Sequence, residues 1–154
     1  MTRSGLIFLA AFGSAALLIG AFGFQHIGGL LPCKMCLWQR WPHAAAALFG
    51  LILLIGGPRI LAWLGALAAA TTGAIGAYHA GVELGWWPGP ASCSGGGMDL
   101  GVMDGATLLS LDAPSGLVMC DEVVWSLMGL SMAGWNALIA AGRTVLWVMA
   151  ARRR

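Results

Sequence analysis

The residues best equipped for chemistry are four cysteines, Cys33, Cys36, Cys93 and Cys120, in a chain of 154 residues. The first two lie in "LLPCKMCLWQRWPH", residues 30–43, with Lys34 between them and Arg40 four positions beyond the second. The other two stand further apart, in a segment dominated by Gly, Pro, Ser and Asp. A thiol reacts as its thiolate, which a helix N-terminus and nearby cations both stabilise. A helix opening at Cys36 would supply its unpaired N–H groups to that sulfur and set Arg40 on the same face one turn further in.

Two bland uses compete with redox chemistry. Four cysteines can ligate zinc tetrahedrally, although only the 33/36 pair has the short spacing such sites usually show. They can also form two inert crosslinks. Four cysteines allow three pairings, and the residues alone do not choose among them.

The elements that carry these thiols are greasy. Hydrophobic residues make up 59% of the chain and charged ones 9%, with a mean hydropathy of +0.83, values unlike those of a soluble domain. No nucleic-acid partner is expected. Spanning a bilayer takes about 20 mostly apolar residues per helix. Four stretches qualify: 5–24, 37–55, 60–78 and 123–141. The second qualifies with Gln39 and Arg40 at its interfacial end. Without period-2 patterning, helices are the spanning element to expect. The fold class is an all-α membrane protein, a four-helix antiparallel transmembrane bundle forming one domain over 1–154. Its outer, Cys-containing loops are expected at about 25–36 and 79–122. The first stretch begins like a secretory signal after Arg3, but its uncharged run is long and no Ala-x-Ala-like site closes it, so a retained helix is expected.

Charge sets the orientation. Arg3, Arg59, Arg143, Arg152, Arg153 and Arg154 fall before helix one, in the "GGPR" turn, and after helix four. Those ends, and both termini, are expected in the cytoplasm. All six acids (Glu83, Asp99, Asp104, Asp112, Asp121 and Glu122) fall between helices three and four. The cysteines then face outward. Indole rings favour interfaces, and Trp38, Trp41, Trp86, Trp87 and Trp125 cluster at the outer level, with Trp63 and Trp147 at the inner one. Trp135 falls mid-span, as a packing residue.

Pro42 is placed near the start of helix two, where a missing N–H is tolerated. Helix three carries a stripe of small residues, Gly65, Ala69, Gly73, Ala77 and Gly81, which allows close helix approach. The long loop reads as mobile, and "ATLLSLDAPSGLVM" within it as a short segment lying on the membrane surface.

"PCKMCLWQR", "YHAGVELGWWPGPASC" and "CDEVVWSLMGLSMAGW" together resemble the disulfide bond formation protein B (DsbB) family, over most of the chain. That resemblance implies a bacterial inner-membrane protein dithiol:quinone oxidoreductase, active on its periplasmic face. Its expected partners are a periplasmic DsbA-like thioredoxin-fold oxidase and the membrane quinone pool, ubiquinone or menaquinone. It implies that Cys93 forms the mixed disulfide with the oxidase and that Cys120 is its disulfide mate. Cys33 would exchange with Cys120, and Cys36 would be the thiolate facing the quinone. Arg40 matches the Arg that supports quinone and thiolate, and His79 a His near the quinone. Charge alone gives Arg40 a similar role, since it can stabilise a thiolate and the negative charge building on a quinone oxygen. Disulfide and quinone are both two-electron couples. Gln39 stands where the family commonly has Glu, a change expected to matter little. His26 and His43 carry no comparable signal; His43 reads as polar lining. No metal is expected.

The nearest rival is the vitamin K epoxide reductase family, in which the quinone-proximal Cys-x-x-Cys belongs at a later helix. A noncatalytic scaffold with structural disulfides is the rival from another class.

Overall fold

The computed structural model describes residues 1–90, 93 and 118–153. Helices α1 (Arg3–His26), α2 (Lys34–Leu54), α3 (Ile60–Glu83) and α4 (Met132–Arg152) form a bundle. Each helix packs against its neighbour in the chain, and α4 closes back on α1. The surface segment expected at 106–119 falls almost wholly outside the described residues.

Local chemistry sets the helix ends. The Thr2 hydroxyl accepts from Gly5 N at 3.2 Å, the Ser131 hydroxyl from Gly134 N at 3.1 Å, and the Cys33 sulfur from Cys36 N at 3.2 Å. Each side chain thus satisfies an N–H that the first turn leaves unpaired. Gly56, at φ +100, turns the chain from α2 into α3 where a side chain would be strained.

Three sequence expectations are corrected by helix register. First, α4 begins at Met132, not near residue 123. The preceding residues form a hairpin of β1 (Ser126–Leu127) and β2 (Leu130–Ser131), paired Ser126 with Ser131 and Leu127 with Leu130. Met128 and Gly129 make its turn at φ 52 and φ 78, the positive pair that a tight two-residue hairpin turn requires. Second, α2 begins at Lys34, so Pro42 sits inside it and deprives the Trp38 carbonyl of its usual helical partner. Third, α3 runs on to Glu83.

The shift in α4 relocates three side chains. Trp135 lies in the first turn, its indole N–H donating to the Leu127 carbonyl at 3.1 Å. Arg143 does not follow the last helix; it lies within it, 5% exposed. Trp147 is no interfacial anchor. It is 0% exposed and is the largest fully buried side chain of the core. A Cβ at Gly65 would come within 2.8 Å of its ring, so the small residue is what admits the indole.

The bundle's outside is apolar: Phe12 is 60% exposed, Ile19 70% and Leu67 64%. Its polar side chains Gln39, His43, Thr72, His79 and Arg143 are buried. Water as surrounding solvent would favour the reverse. Among the described residues, two helices, Arg3–His26 and Ile60–Glu83, are long and apolar enough to cross a membrane. Both termini gather with the α2–α3 turn at one end. There Arg59 donates to the Arg153 carbonyl, Arg153 to that of Met1, and Arg3 to that of Ala150. The Cys-x-x-Cys pair lies at the opposite end of α2.

Candidate functional site

The start of α2 holds the first thiol pair. Cys33, as its N-cap, is 3% exposed, and its Sγ donates to Cys36 Sγ at 2.8 Å. That hydrogen bond, then burial, pushes the Cys33 thiol far above the ordinary thiol range. The proton therefore stays on Cys33, and negative charge falls to Cys36, one turn into the helix and half-buried.

The second pair forms a disulfide, Cys93–Cys120, and Cys120 is 0% exposed. It packs onto the first: Cys33, Met35, Val82, Cys93 and Cys120 make one buried cluster. The sulfurs of Cys33 and Cys120 and a ring nitrogen of His79 all lie within 4.8 Å of one another. That spacing would also suit a metal, but Cys120 is committed to its disulfide. The arrangement is that of a disulfide held beside a thiol with which it can exchange.

His79 reaches this cluster from α3, its Nε2 3.5 Å from Cys33 Sγ. The ring also meets the backbone of Cys120. Its Nε2 lies 3.8 Å from Glu83 Oε1, one turn on, and the Glu83 side chain is 6% exposed. In the sequence Glu83 reads only as an acid of the outer loop. The signal for it was the His-x-x-x-Glu spacing, which acquires meaning once α3 runs past Tyr78.

Arg40 is also at the site, and its hydrogen bonds reach across to α1. It donates to Gln25 Oε1 at 2.6 Å and to the Ala21 carbonyl at 3.4 Å, and lies over the Phe22 ring 4.8 Å from its centroid. These contacts fix its guanidinium in the wall of a cavity of about 420 Å³. Cys33, Cys36, Arg40, His79 and Glu83 all line that cavity, and the rest of the wall is largely apolar, with Leu17, Phe24 and Trp135 among it.

Two more side chains were undervalued in the sequence. Gln39, 7% exposed, donates to the Met35 carbonyl at 3.2 Å and meets His79 Nδ1 at 3.1 Å, so its identity matters to the site directly. His43 is more than polar lining: it contacts Asn136 at 2.8 Å, Thr72 at 3.2 Å and Arg143 at 3.1 Å. The third histidine, His26, stacks on Phe22.

Known proteins resemble this chain over most of its length. The sequence profile of the family described as "Disulfide bond formation protein DsbB" matches residues 3–150. A disulfide bond formation protein B of Azoarcus sp. (strain BH72) is 31% identical, covering 96% of this chain and 93% of its own. One of Marinobacter nauticus is 35% identical, covering 97% and 90%, and one of Verminephrobacter eiseniae 37%, covering 91% and 81%. No solved structure matches the chain significantly. The match over residues 3–150 and these relatives show that the chain belongs to the DsbB family of membrane oxidoreductases that act in disulfide bond formation.

Proposed function

We propose that the protein is a dithiol:quinone oxidoreductase of the bacterial inner membrane, spanning it four times with both termini cytoplasmic. It regenerates a periplasmic DsbA-like thioredoxin-fold oxidase. The observation that carries this reading is the placement of Cys33 within 4.8 Å of Cys120 in the wall of an apolar cavity.

In this reading the partner's dithiol reduces the Cys93–Cys120 disulfide through a mixed disulfide at Cys93. The acceptor of these electrons is the Cys33–Cys36 disulfide, the oxidised form of the pair. The Cys120 thiolate attacks the Cys33 sulfur and Cys36 leaves as thiolate. Cys93 then attacks Cys120, restoring the loop disulfide and freeing Cys33, so that two electrons arrive at the Cys33/Cys36 pair. Cys36, at the helix start, holds the charge while Cys33 holds the proton.

The cavity suits a quinone ring. At about 420 Å³ it falls in the size range of small-molecule sites, with a mostly apolar wall and few polar groups. A bound quinone would supply a two-electron, two-proton acceptor. Arg40, held by Gln25 and Phe22, would face an oxygen that gains negative charge. Glu83 is the buried carboxylate placed to take up a thiol proton.

The test is quinone reduction by a reduced thioredoxin-fold partner, followed by the loss of quinone absorbance, in Cys36→Ser and Arg40→Ala. Both variants are expected to lose most of the rate. Undiminished rates in both would sink the reading.

A further inference from the structure

The His79–Cys33 contact is the last link of a hydrogen-bonded chain that begins in the middle of α4. Arg143 Nη1 lies 3.1 Å from His43 Nδ1. His43 Nε2 lies 2.8 Å from Asn136 Oδ1, and Asn136 Nδ2 2.6 Å from Gln39 Oε1. Gln39 Nε2 lies 3.1 Å from His79 Nδ1, and His79 Nε2 3.5 Å from Cys33 Sγ. Arg143, His43, Gln39 and His79 are each more than nine-tenths buried, so water does not offer these groups other partners.

The chain has one direction, and Arg143 fixes it. A guanidinium has donors and no acceptor. His43 Nδ1 must therefore accept, and its proton sits on Nε2, facing the Asn136 oxygen. The Asn136 amide then donates to Gln39 Oε1, which leaves the Gln39 amide to donate to His79 Nδ1. With that lone pair occupied, a neutral His79 carries its proton on Nε2, the nitrogen nearest Cys33.

Thr72 supports the same direction. Its hydroxyl donates to the Gln39 carbonyl at 3.1 Å, and its lone pairs accept from Asn136 Nδ2 at 3.2 Å and from His43 Nε2 at 3.2 Å. Turning over the Asn136 amide would set N–H against N–H at His43. Turning over that of Gln39 would do the same at Asn136 and would strip the Met35 carbonyl of its donor.

The geometry points to Arg143, His43, Asn136 and Gln39 as positioning residues that hold His79 in its Nε2–H tautomer, so that it presents a donor rather than a base to Cys33. The inference rests on the thiol-exchange reading for its purpose: an N–H aimed at Cys33 stabilises negative charge whenever that sulfur carries it. It also assigns the uptake of thiol protons away from His79. The polar side chains inside the bundle are then one device, with its fixed charge at Arg143 and its working end at the thiols.

The experiment is ¹⁵N NMR of the imidazoles in the full chain, reconstituted in lipid nanodiscs, with His26→Gln and His43→Gln variants for assignment. His79 is expected to show a protonated Nε2 and an unprotonated Nδ1. In Gln39→Glu an acceptor replaces the donor facing Nδ1, and the proton is expected to move to Nδ1. Arg143→Met should leave His43 a mixture of tautomers, and Arg143→Lys, which is again donor-only, should restore the single one. A wild-type His79 protonated on Nδ1, or a His79 unmoved by Gln39→Glu, overturns the inference even if Arg143→Met does not fold. The measurement uses neither quinone nor partner. Normal turnover with the proton on Nδ1 would defeat this inference alone, whereas an Nε2–H tautomer in a protein without quinone reduction would support it and defeat the proposed function.

Discussion

His79 and Glu83 occupy successive turns of α3, with Nε2 and Oε1 3.8 Å apart and both side chains buried in the wall of the same cavity. Since the other ring nitrogen of His79 is taken by Gln39, Glu83 is, among the described residues, the buried base left beside the thiols. Its Oε2 has no hydrogen-bond partner among the described residues.

Glu83→Gln keeps the shape of the wall and removes the base. Quinone reduction is expected to slow by about 10² or more, in the range for losing a positioned acid or base, with KM for quinone little changed. Stopped-flow turnover against quinone concentration checks this. A wild-type kcat would remove Glu83 from the proton path.

The two thiols of the first pair should differ in reactivity. With Cys33 pushed far above the ordinary thiol range, its proton stays on at pH values where a free thiol, near about 8.5, is already half ionised. At neutral pH a small alkylating agent should therefore label Cys36 well ahead of Cys33. In Cys36→Ser the thiolate acceptor is gone, the Cys33 proton is released at lower pH, and its labelling should rise. Peptide mapping by mass spectrometry reads both rates; equal labelling in the unaltered protein would contradict the shared-proton geometry.

Proximity of the pairs can be caught covalently. In the double variant Cys36→Ser, Cys93→Ser, the two remaining cysteine sulfurs belong to Cys33 and Cys120, within 4.8 Å of each other. Mild oxidation should join them in one intramolecular disulfide, found by non-reducing peptide mapping. Intermolecular dimers in its place would show that the sulfurs do not meet.

The packing of Trp147 on Gly65 sets a stability test. Trp147→Ala empties a fully buried indole site, for which about 3–5 kcal/mol is the usual loss. Gly65→Ala places a Cβ 2.8 Å from three atoms of a rigid ring, and overpacking of this kind costs about 1–3 kcal/mol. Gly20→Ala, where a Cβ meets nothing within 4 Å, should be neutral or slightly stabilising. Thermal unfolding in detergent ranks the three. A Gly65→Ala protein as stable as Gly20→Ala would mean the ring is free to move.

What was legible in the sequence was whatever depends on residue type and short spacing. Cys33, Cys36 and Arg40 announce a thiol pair at a helix start, and the Arg residues 3, 59, 152 and 153 announce one basic end. What escaped depends on where helices begin and which faces meet. Hydropathy sees residues 123–131 as apolar, but Gly129 and the strand pairing around it hold the chain out of the helix. That displacement concealed Arg143 and Trp147, which look like end residues and are interior ones. Likewise Glu83 looked like loop until α3 was seen to continue, and Gln39, His43, Thr72 and Asn136 form a network across three helices that no spacing within one helix could reveal.

The small hairpin before α4 carries a consequence larger than its four paired residues. It acts as the index mark for the whole helix: Asn136, Ala140, Arg143 and Trp147 follow one another at steps of three and four and are delivered to the interior together. Adding or removing a single residue between Ser131 and Asn136 would turn the rest of the helix by about 100° and slide it by about 1.5 Å. Buried charge, tautomer-setting amide and core indole would all swing outward in one motion. A length change at that point is therefore a more complete lesion than any one substitution within the helix.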